Sequence, residues 1–488
     1  MEARRHVARG VTWSAAESIA GQTISFLLFL VLARLLAPAD FGVVAVANLC
    51  VMVIQSFIFL GMGQAIVQFS DLDEQHLDTV FYINLFSGLF FFVLTITASS
   101  ILGQWFQTPL LASVLCWLSP VFLIAGLTDV QNNLLVREMN FRALALRTLL
   151  SYVAGGIVGV VMAVKGAGVW SLVGQQLTTA FMNLVVLWTA SRWRPGLKFS
   201  SSRAKVLSRF GMHMMWVDLV GMVNRRADQF VVGKFIGPVQ VGFYAVGARV
   251  SMLITEVMSK SVARVTLSAL SRLQDDMVRF RSVLLEMTEM QTAVVFPTAI
   301  GLALVAPEVM QIFFGSKWAA SVPVMQALVL ACPFEALSGA HQSALVAKGK
   351  PQLSSILTSV HAVLNVIAVA LAVHWGTTAV AAAFLIRALI MYPVELIVLH
   401  KAIDLPVGQV LRLLIPQVVA SAVMAAIVAL VQRALSVDTP ILLRLVLAIA
   451  SGAAVYMVVL FILNPTLLKR MRRQVSTPPA TRTETNLL

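Results

Sequence analysis

Four arginines, Arg225, Arg226, Arg249 and Arg387, stand inside stretches that are otherwise nearly all apolar. Asp218, Asp228, Glu256, Glu335 and His361 share the same kind of stretch. A guanidinium keeps its charge, and its planar fork donates two parallel hydrogen bonds to carboxylate or phosphate oxygens. At the centre of a bilayer such a group costs roughly 2.5–3.5 kcal/mol by insertion scales, so it needs a partner, a wet cavity or a task. Spacing offers partners. Asp218 and Arg225 share a helix face two turns apart, and Arg225 and Asp228 are within direct reach on one helix. Arg249 has Glu256 and then Lys260 along its face, and Arg387 has Glu335 or Glu395 as candidate partners. Two readings stand side by side. In one the arginines line a cavity and bind an anion; in the other each pairs with a carboxylate and fixes helix packing.

The N-terminal half has no charge at mid-span. It offers Glu17 and the amides Gln22, Asn48, Gln55, Asn84, Gln175, Gln176 and Asn183. Amides such as Gln22, Asn48 and Gln55 suit hydrogen bonds to sugar hydroxyls, and equally glue membrane helices together. Glu17, Asp228, Glu256 and Glu335 are candidates for ion coupling or gating. No GxxxxGK[ST], HExxH or GxSxG occurs, and Cys50, Cys116 and Cys332 lie singly in apolar stretches with no metal spacing. The expectation is a chain that is not an enzyme, with no cofactor, no metal and no ATP hydrolysis. Energy then comes from an ion gradient (H+ or Na+), the membrane potential, or consumption of product on the far side.

The elements that must carry these residues follow from composition. Of 488 residues 59% are hydrophobic and only 12% charged; a soluble domain is nearer half and a quarter. Apolar runs of spanning length recur, separated by short polar turns, and none shows the alternation of a membrane strand. Fourteen spans are predicted: 11–36, 41–69, 79–102, 110–128, 148–164, 167–190, 209–234, 239–262, 290–314, 320–345, 352–374, 376–398, 411–433 and 440–463. The first is too long for a signal peptide's apolar region and reads as a retained helix. The net charge of +14 first suggests nucleic acid, but the charge sits in loops and tails. With a cytoplasmic N-terminus, 26 of the 36 Lys and Arg fall on the cytoplasmic side, six opposite and four within spans. That asymmetry is a topology signal, places both termini in the cytoplasm and supports an even count of spans. Segments 129–147 and 263–289 read as amphipathic helices lying on the membrane surface. Tryptophans near span ends, Trp318 among them, read as an interfacial belt.

The sequence also repeats. Residues 33–47, ARLLAPADFGVVAVA, and 233–247, GKFIGPVQVGFYAVG, match at a constant offset: Arg34 with Lys234, Pro38 with Pro238, Gly42 with Gly242, and Ala45–Val46 with Ala245–Val246. Pro120 and Gly126 find a fainter echo in Pro333 and Gly339. Each strong copy sits at the turn between the first two helices of its half. The unit is therefore six helices, an even number, and the two copies are parallel repeats related by an axis along the membrane normal. The reading is an all-α polytopic membrane protein: an N-lobe at 1–190, a basic cytoplasmic linker at 191–208, a C-lobe at 209–400, two extra helices at 401–463 and a disordered cytoplasmic tail at 464–488.

The segment ARLLAPADFGVVAVA, following a first helix that opens RGVTWSAAESIAGQ, resembles the polysaccharide exporter branch of the multidrug/oligosaccharidyl-lipid/polysaccharide superfamily. These are the Wzx-type flippases and their colanic acid, teichuronic acid and succinoglycan relatives. The resemblance is clearest in the first two hundred residues and extends through the helix count and the repeat. It implies a V-shaped, bilobed transporter in a bacterial inner membrane. The implied cargo is an undecaprenyl-diphosphate-linked oligosaccharide, flipped from the cytoplasmic to the periplasmic leaflet, with a polysaccharide polymerase and chain-length machinery as partners. Arg225, Arg226, Arg249 and Arg387 would then meet the diphosphate. An ion-coupled multidrug or metabolite antiporter of the same fold and a lipid II flippase are the alternatives. The outer loops are a few residues long, which argues against a membrane-embedded polymerase or glycosyltransferase.

Overall fold

A computed structural model describes residues 20–58, 62–68, 72–436 and 438–465. Along two long helices it gives the backbone path but leaves the side chains of Asp218, Arg225 and Glu256 undescribed. Helix is the regular structure of the described residues, with no strand among them. In chain order the helices are α1 (Ala20–Leu35), α2 (Pro38–Ile58), α3 (Met62–Gln68), α4 (Glu74–Trp105), α5 (Pro109–Leu118), α6 (Pro120–Arg137), α7 (Phe141–Val164) and α8 (Val169–Ala190). They continue as α9 (Ser201–Phe235), α10 (Pro238–Ser271), α11 (Met277–Leu304), α12 (Ala306–Val309), α13 (Val322–Ala347), α14 (Pro351–Ala372), α15 (Thr377–Ile403), α16 (Val407–Ala434) and α17 (Ile441–Leu463).

Local chemistry sets the ends. Pro109, Pro120 and Pro351 open helices at the position where a missing N–H costs nothing. Asp73 caps α4 by accepting from the His76 backbone N–H at 3.0 Å, and Asp276 caps α11 by accepting from Arg279 at 3.0 Å. Gly237, at φ +104°, turns the chain between α9 and α10.

Nine of the described helical segments are long and apolar enough to cross a membrane, or ten if Met277–Leu304 and Ala306–Phe314, bent by 69°, make one span. Fourteen spans were expected. The difference lies in α1, which is described only from Ala20, and in α8, α9 and α10, which have the length but carry Gln175, Gln176, Asn183, Arg226, Asp228 and Arg249 among their residues. The apolar helices present large hydrophobic side chains outward, including Phe86, Phe90, Ile157, Ile390 and Ile462. Faces of that extent are stable in hydrocarbon, not in water.

Several boundaries differ from the sequence reading. The segment 263–289 is not a separate surface helix: α10 runs on to Ser271 and α11 starts at Met277, leaving a short turn. Likewise 129–147 is the end of α6, a turn and the start of α7. The linker ends at Ser200, because Ser201 opens α9. The physical reason is length. At 1.5 Å per residue, α9 with 35 residues and α10 with 34 reach about 50 Å, well beyond a hydrocarbon core of about 30 Å. The basic segments are therefore the ends of long helices and not separate surface helices. Trp318 is fully buried and packs in the interior, not in an interfacial belt. Glu17 and the tail beyond residue 465 lie outside the described residues.

The chain divides into two compact units, Met1–Ala245 and Val246–Leu488. In the first, α4 packs on α5 and α6, α7 on α8, and α9 on α2, α3 and α4. That packing of α9 keeps it, and the start of α10, with the N-terminal helices. In the second unit α13 packs on α11 and α15, α14 on α15, and α16 on α11 and α17.

Within the first unit the two copies of the repeated segment touch. A methyl group on Gly42 would overlap the Pro238 carbonyl, and one on Gly242 would overlap the Pro38 carbonyl. The contact is reciprocal, as a local two-fold relation produces. Small residues let helix backbones approach in this way. Gly42→Ala and Gly242→Ala are each expected to lower the thermal midpoint of the detergent-solubilised protein, at an overpacking cost of about 1–3 kcal/mol. Gly408→Ala, where nothing lies within 4 Å of the added methyl, is the control and leaves it unchanged.

Candidate functional site

The strongest concentration of buried polar chemistry in the second unit lies among α13, α14 and α15. Arg387, on α15, has a side chain 4% exposed. Its Nη2 donates to Glu335 Oε1 of α13 at 2.5 Å, and its Nη1 lies 2.6 Å from His361 Nδ1 of α14. The guanidinium also lies over the Phe384 ring, 4.5 Å from its centre. His361 Nε2 lies 2.7 Å from Glu395 Oε1, and the same oxygen accepts from Ser338 Oγ at 2.5 Å. Gln342 donates to Ser338 at 3.2 Å and accepts from Thr358 of α14 at 3.2 Å. His341 stacks on Tyr392 and faces Glu395 Oε2 across 3.5 Å.

These contacts fix protons. Arginine has only hydrogens to give. His361 Nδ1 therefore accepts, the ring is neutral, and its Nε2–H donates to Glu395. Three helices are thus tied by a directed chain running Arg387 → His361 → Glu395, with Glu335 as a second acceptor for the guanidinium.

The pairing of Arg387 with Glu335, one of the two readings of the sequence, is present, and Glu395 is joined to the same arginine through His361. The remaining candidates are distributed as follows. Arg249, on α10, belongs to the second unit and is half-buried. Arg226, half-buried, and Asp228, buried, are on α9 in the first unit. Asp228 accepts from Tyr244 Oη at 2.6 Å and from the Gln229 backbone N–H at 2.8 Å. Gln22 on α1 and Asn48 and Gln55 on α2 are half-buried. Arg225 and Glu256 occupy α9 and α10, their side chains undescribed.

His341, Ser338 and Gln342 escaped the sequence reading as site residues. A signal for them exists. Glu335, Ser338 and Gln342 recur at helical spacing along α13, and Arg387 and Glu395 share one face of α15 two turns apart. In the first unit, Asp129 on α6 accepts from Asn84 at 2.8 Å and from Asn133 at 2.9 Å, a satisfied carboxylate that spacing alone did not single out. A separate cavity of about 610 Å³ between α11 and α16 is lined by Glu286, Glu289 and Arg412 among others, and holds none of the predicted residues.

Removing one partner of a buried pair leaves an uncompensated charge, which costs about 3–5 kcal/mol. Arg387→Ala is expected to lower stability by that order, and Arg387→Met combined with Glu335→Met by less than Arg387→Ala alone. Chemical or thermal unfolding of the purified variants measures both. Equal losses would mean that the pair is not coupled.

Residues 31–323 match the family model described as "Polysaccharide biosynthesis protein". The succinoglycan biosynthesis transport protein ExoT of Rhizobium meliloti is 30% identical over 330 residues, 66% of this chain and 66% of that one. The teichuronic acid biosynthesis protein TuaB of Bacillus subtilis is 24% identical over 353 residues, 72% of this chain and 73% of that one. Among solved structures, the lipid II flippase MurJ in an inward closed conformation superposes with a TM-score of 0.76 at 15% sequence identity, covering 93% of this chain and 99% of that one. The last likeness establishes the fold alone.

Proposed function

We propose, from the premise that this chain belongs to the polysaccharide biosynthesis protein family, that it flips an undecaprenyl-diphosphate-linked oligosaccharide from the cytoplasmic to the periplasmic leaflet of a bacterial inner membrane. The observation that carries the reading is the 30% identity to a transport protein of succinoglycan biosynthesis. The fold agrees with the task. It matches along nearly the whole length of a protein named for flipping a lipid-linked cargo.

The finer architecture belongs to the same proposal. Fourteen spans form two parallel six-helix repeats, an N-lobe and a C-lobe, followed by an extra pair. The reciprocal Gly42 and Gly242 contacts support the repeat. The helices that carry too many polar residues for lipid, α8, α9 and α10, span the membrane with those residues turned to protein or water. A wet path beside them suits a cargo whose sugars and phosphates cannot enter hydrocarbon while its polyprenyl tail stays in it. Arg226 and Arg249, each with part of its surface exposed, and Arg225 are the proposed diphosphate contacts. Arg387, committed to Glu335 and His361, positions the C-lobe helices. Gln22, Asn48 and Gln55 meet the sugars. Alternation between two packings of the repeats moves the cargo between leaflets, with coupling through an ion or through polymerisation of product by a partner enzyme.

Vesicles reconstituted with the full chain and a fluorescent diphosphate-linked oligosaccharide test the proposal, with a membrane-impermeant quencher reporting the outer leaflet. Wild-type protein is expected to expose lipid that empty vesicles protect. Arg249→Ala is expected to slow this by about 10-fold or more, the worth of a charged hydrogen bond, and Arg249→Lys by less. Wild-type vesicles that behave like empty ones reject the function; an unaffected Arg249→Ala rejects that residue's role.

A further inference from the structure

Glu395 is the member of the α13–α14–α15 cluster whose charge has no fixed counterpart. Arg387 and Glu335 cancel at 2.5 Å. His361 is neutral, because its Nδ1 accepts from a guanidinium. The Glu395 carboxyl, 1% exposed, would then stand as an unbalanced anion. The effective penalty for a lone buried ion is several kcal/mol even after relaxation. Its Oε1 is saturated by His361 and Ser338, while Oε2 has no hydrogen bond. Facing that oxygen at 3.5 Å is His341 Nδ1, itself buried and without a hydrogen bond. A hydrogen on either atom would close this gap, and only an added proton would also balance the charge of the carboxylate.

We propose that His341 and Glu395 form a proton-binding site, holding one exchangeable proton between imidazole Nδ1 and carboxylate Oε2. With the proton present, the cluster is neutral whichever of the two atoms carries it, and the gap closes as a charge-assisted or neutral hydrogen bond. With it absent, one negative charge stays buried. The groups facing the pair are Glu335 and Ser338 from α13, His361 from α14, and Arg387 and Tyr392 from α15. Gln291 of α11 donates to the Ala336 carbonyl at 3.0 Å and Thr255 of α10 to Cys332 Sγ at 3.2 Å, both uncharged. A proton fits this site better than a hard cation, which takes about six to eight oxygen ligands at about 2.3–2.6 Å. The atoms here without a hydrogen bond are one carboxylate oxygen, one imidazole nitrogen and the Tyr392 hydroxyl. Among the described residues no cluster of three ligating side chains stands close enough to hold a metal ion.

The occupancy of the site reaches the edge of the cluster. Arg387 touches both branches, and Glu335, 27% exposed, is its outermost partner. A charge appearing on Glu395 therefore draws on the same guanidinium that neutralises Glu335. Under the proposed function this makes the C-terminal unit the seat of a proton-loading step, a clause that depends on that reading; the site itself does not.

The test uses the full chain in detergent, with its thermal midpoint followed from about pH 5.5 to about pH 9. Folding holds a proton that the unfolded chain gives up, so stability is present at low pH and lost as pH rises through release. One proton corresponds to a fall of about 1 °C for each pH unit in that window. Glu395→Gln keeps the shape and a neutral side chain and is expected to flatten the profile. Exposed His374→Gln is expected to keep the wild-type slope. Infrared difference spectra of wild-type protein across the same range read the proton directly, as the loss of one carboxyl or imidazolium band. A flat wild-type profile, a Glu395→Gln protein that keeps the slope, a midpoint that follows sodium in place of pH, or an infrared difference with no such band overturns the proposal. No cargo enters these measurements, so their failure leaves the flipping assay standing, and a failed flipping assay leaves them standing.

Discussion

A guanidinium that cannot give up its charge, buried where water cannot reach it, dictates the arrangement of the second unit. Arg387 is 5% exposed, and every neighbour is set by that fact. Glu335 supplies the opposite charge. His361 is forced into the tautomer that accepts from arginine, which turns its other nitrogen into a donor and orients it on Glu395. Ser338 fills the remaining lone pair on the same oxygen. Three helices that share apolar surfaces, with Leu337, Leu357, Met391 and Leu396 in one cluster, thereby acquire a single register. Lipid tails are as apolar as leucine and give helices little reason to prefer one another, so a polar network of this kind supplies specificity that apolar packing lacks.

The same constraint divides the helices into two kinds. Those with almost no polar residues can face lipid, and α17 turns Ile449, Phe461 and Ile462 outward. Those with amides and charges along their length cannot, and must direct those groups to protein or to water. Under the proposed function, this partition suits a cargo with one polar and one apolar part.

Close backbone approach complements the polar network. Where Gly42 and Gly242 meet the carbonyls of Pro238 and Pro38, nothing larger than hydrogen fits. In α4 and α6 the arrangement recurs, Gly88 against the Phe122 carbonyl and Gly126 against that of Asn84. Contacts of this kind carry no directional bond, whereas the network around Arg387 cannot part without leaving a buried charge uncompensated.

Much of this was fixed by the chain's composition and spacing. Apolar runs of spanning length, the lysine and arginine asymmetry, the repeated Pro38–Gly42 and Pro238–Gly242 segments and the family resemblance are one-dimensional properties, because insertion in a membrane acts on each segment separately. Asp228, Glu335 and Arg387 stood out for the same reason: a charge in an apolar run is conspicuous without any fold. What the sequence left open was partnership. Arg387 had two carboxylates within conceivable reach, and only the crossing of α13, α14 and α15 decided that Glu335 takes it directly and Glu395 through His361. The facing of His341 and Glu395, the helical continuation through 201–208 and 263–271, and the burial of Trp318 also came from packing. Hydropathy is read along the chain, whereas a hydrogen bond joins residues many positions apart, and only the tertiary structure brings them within 3 Å.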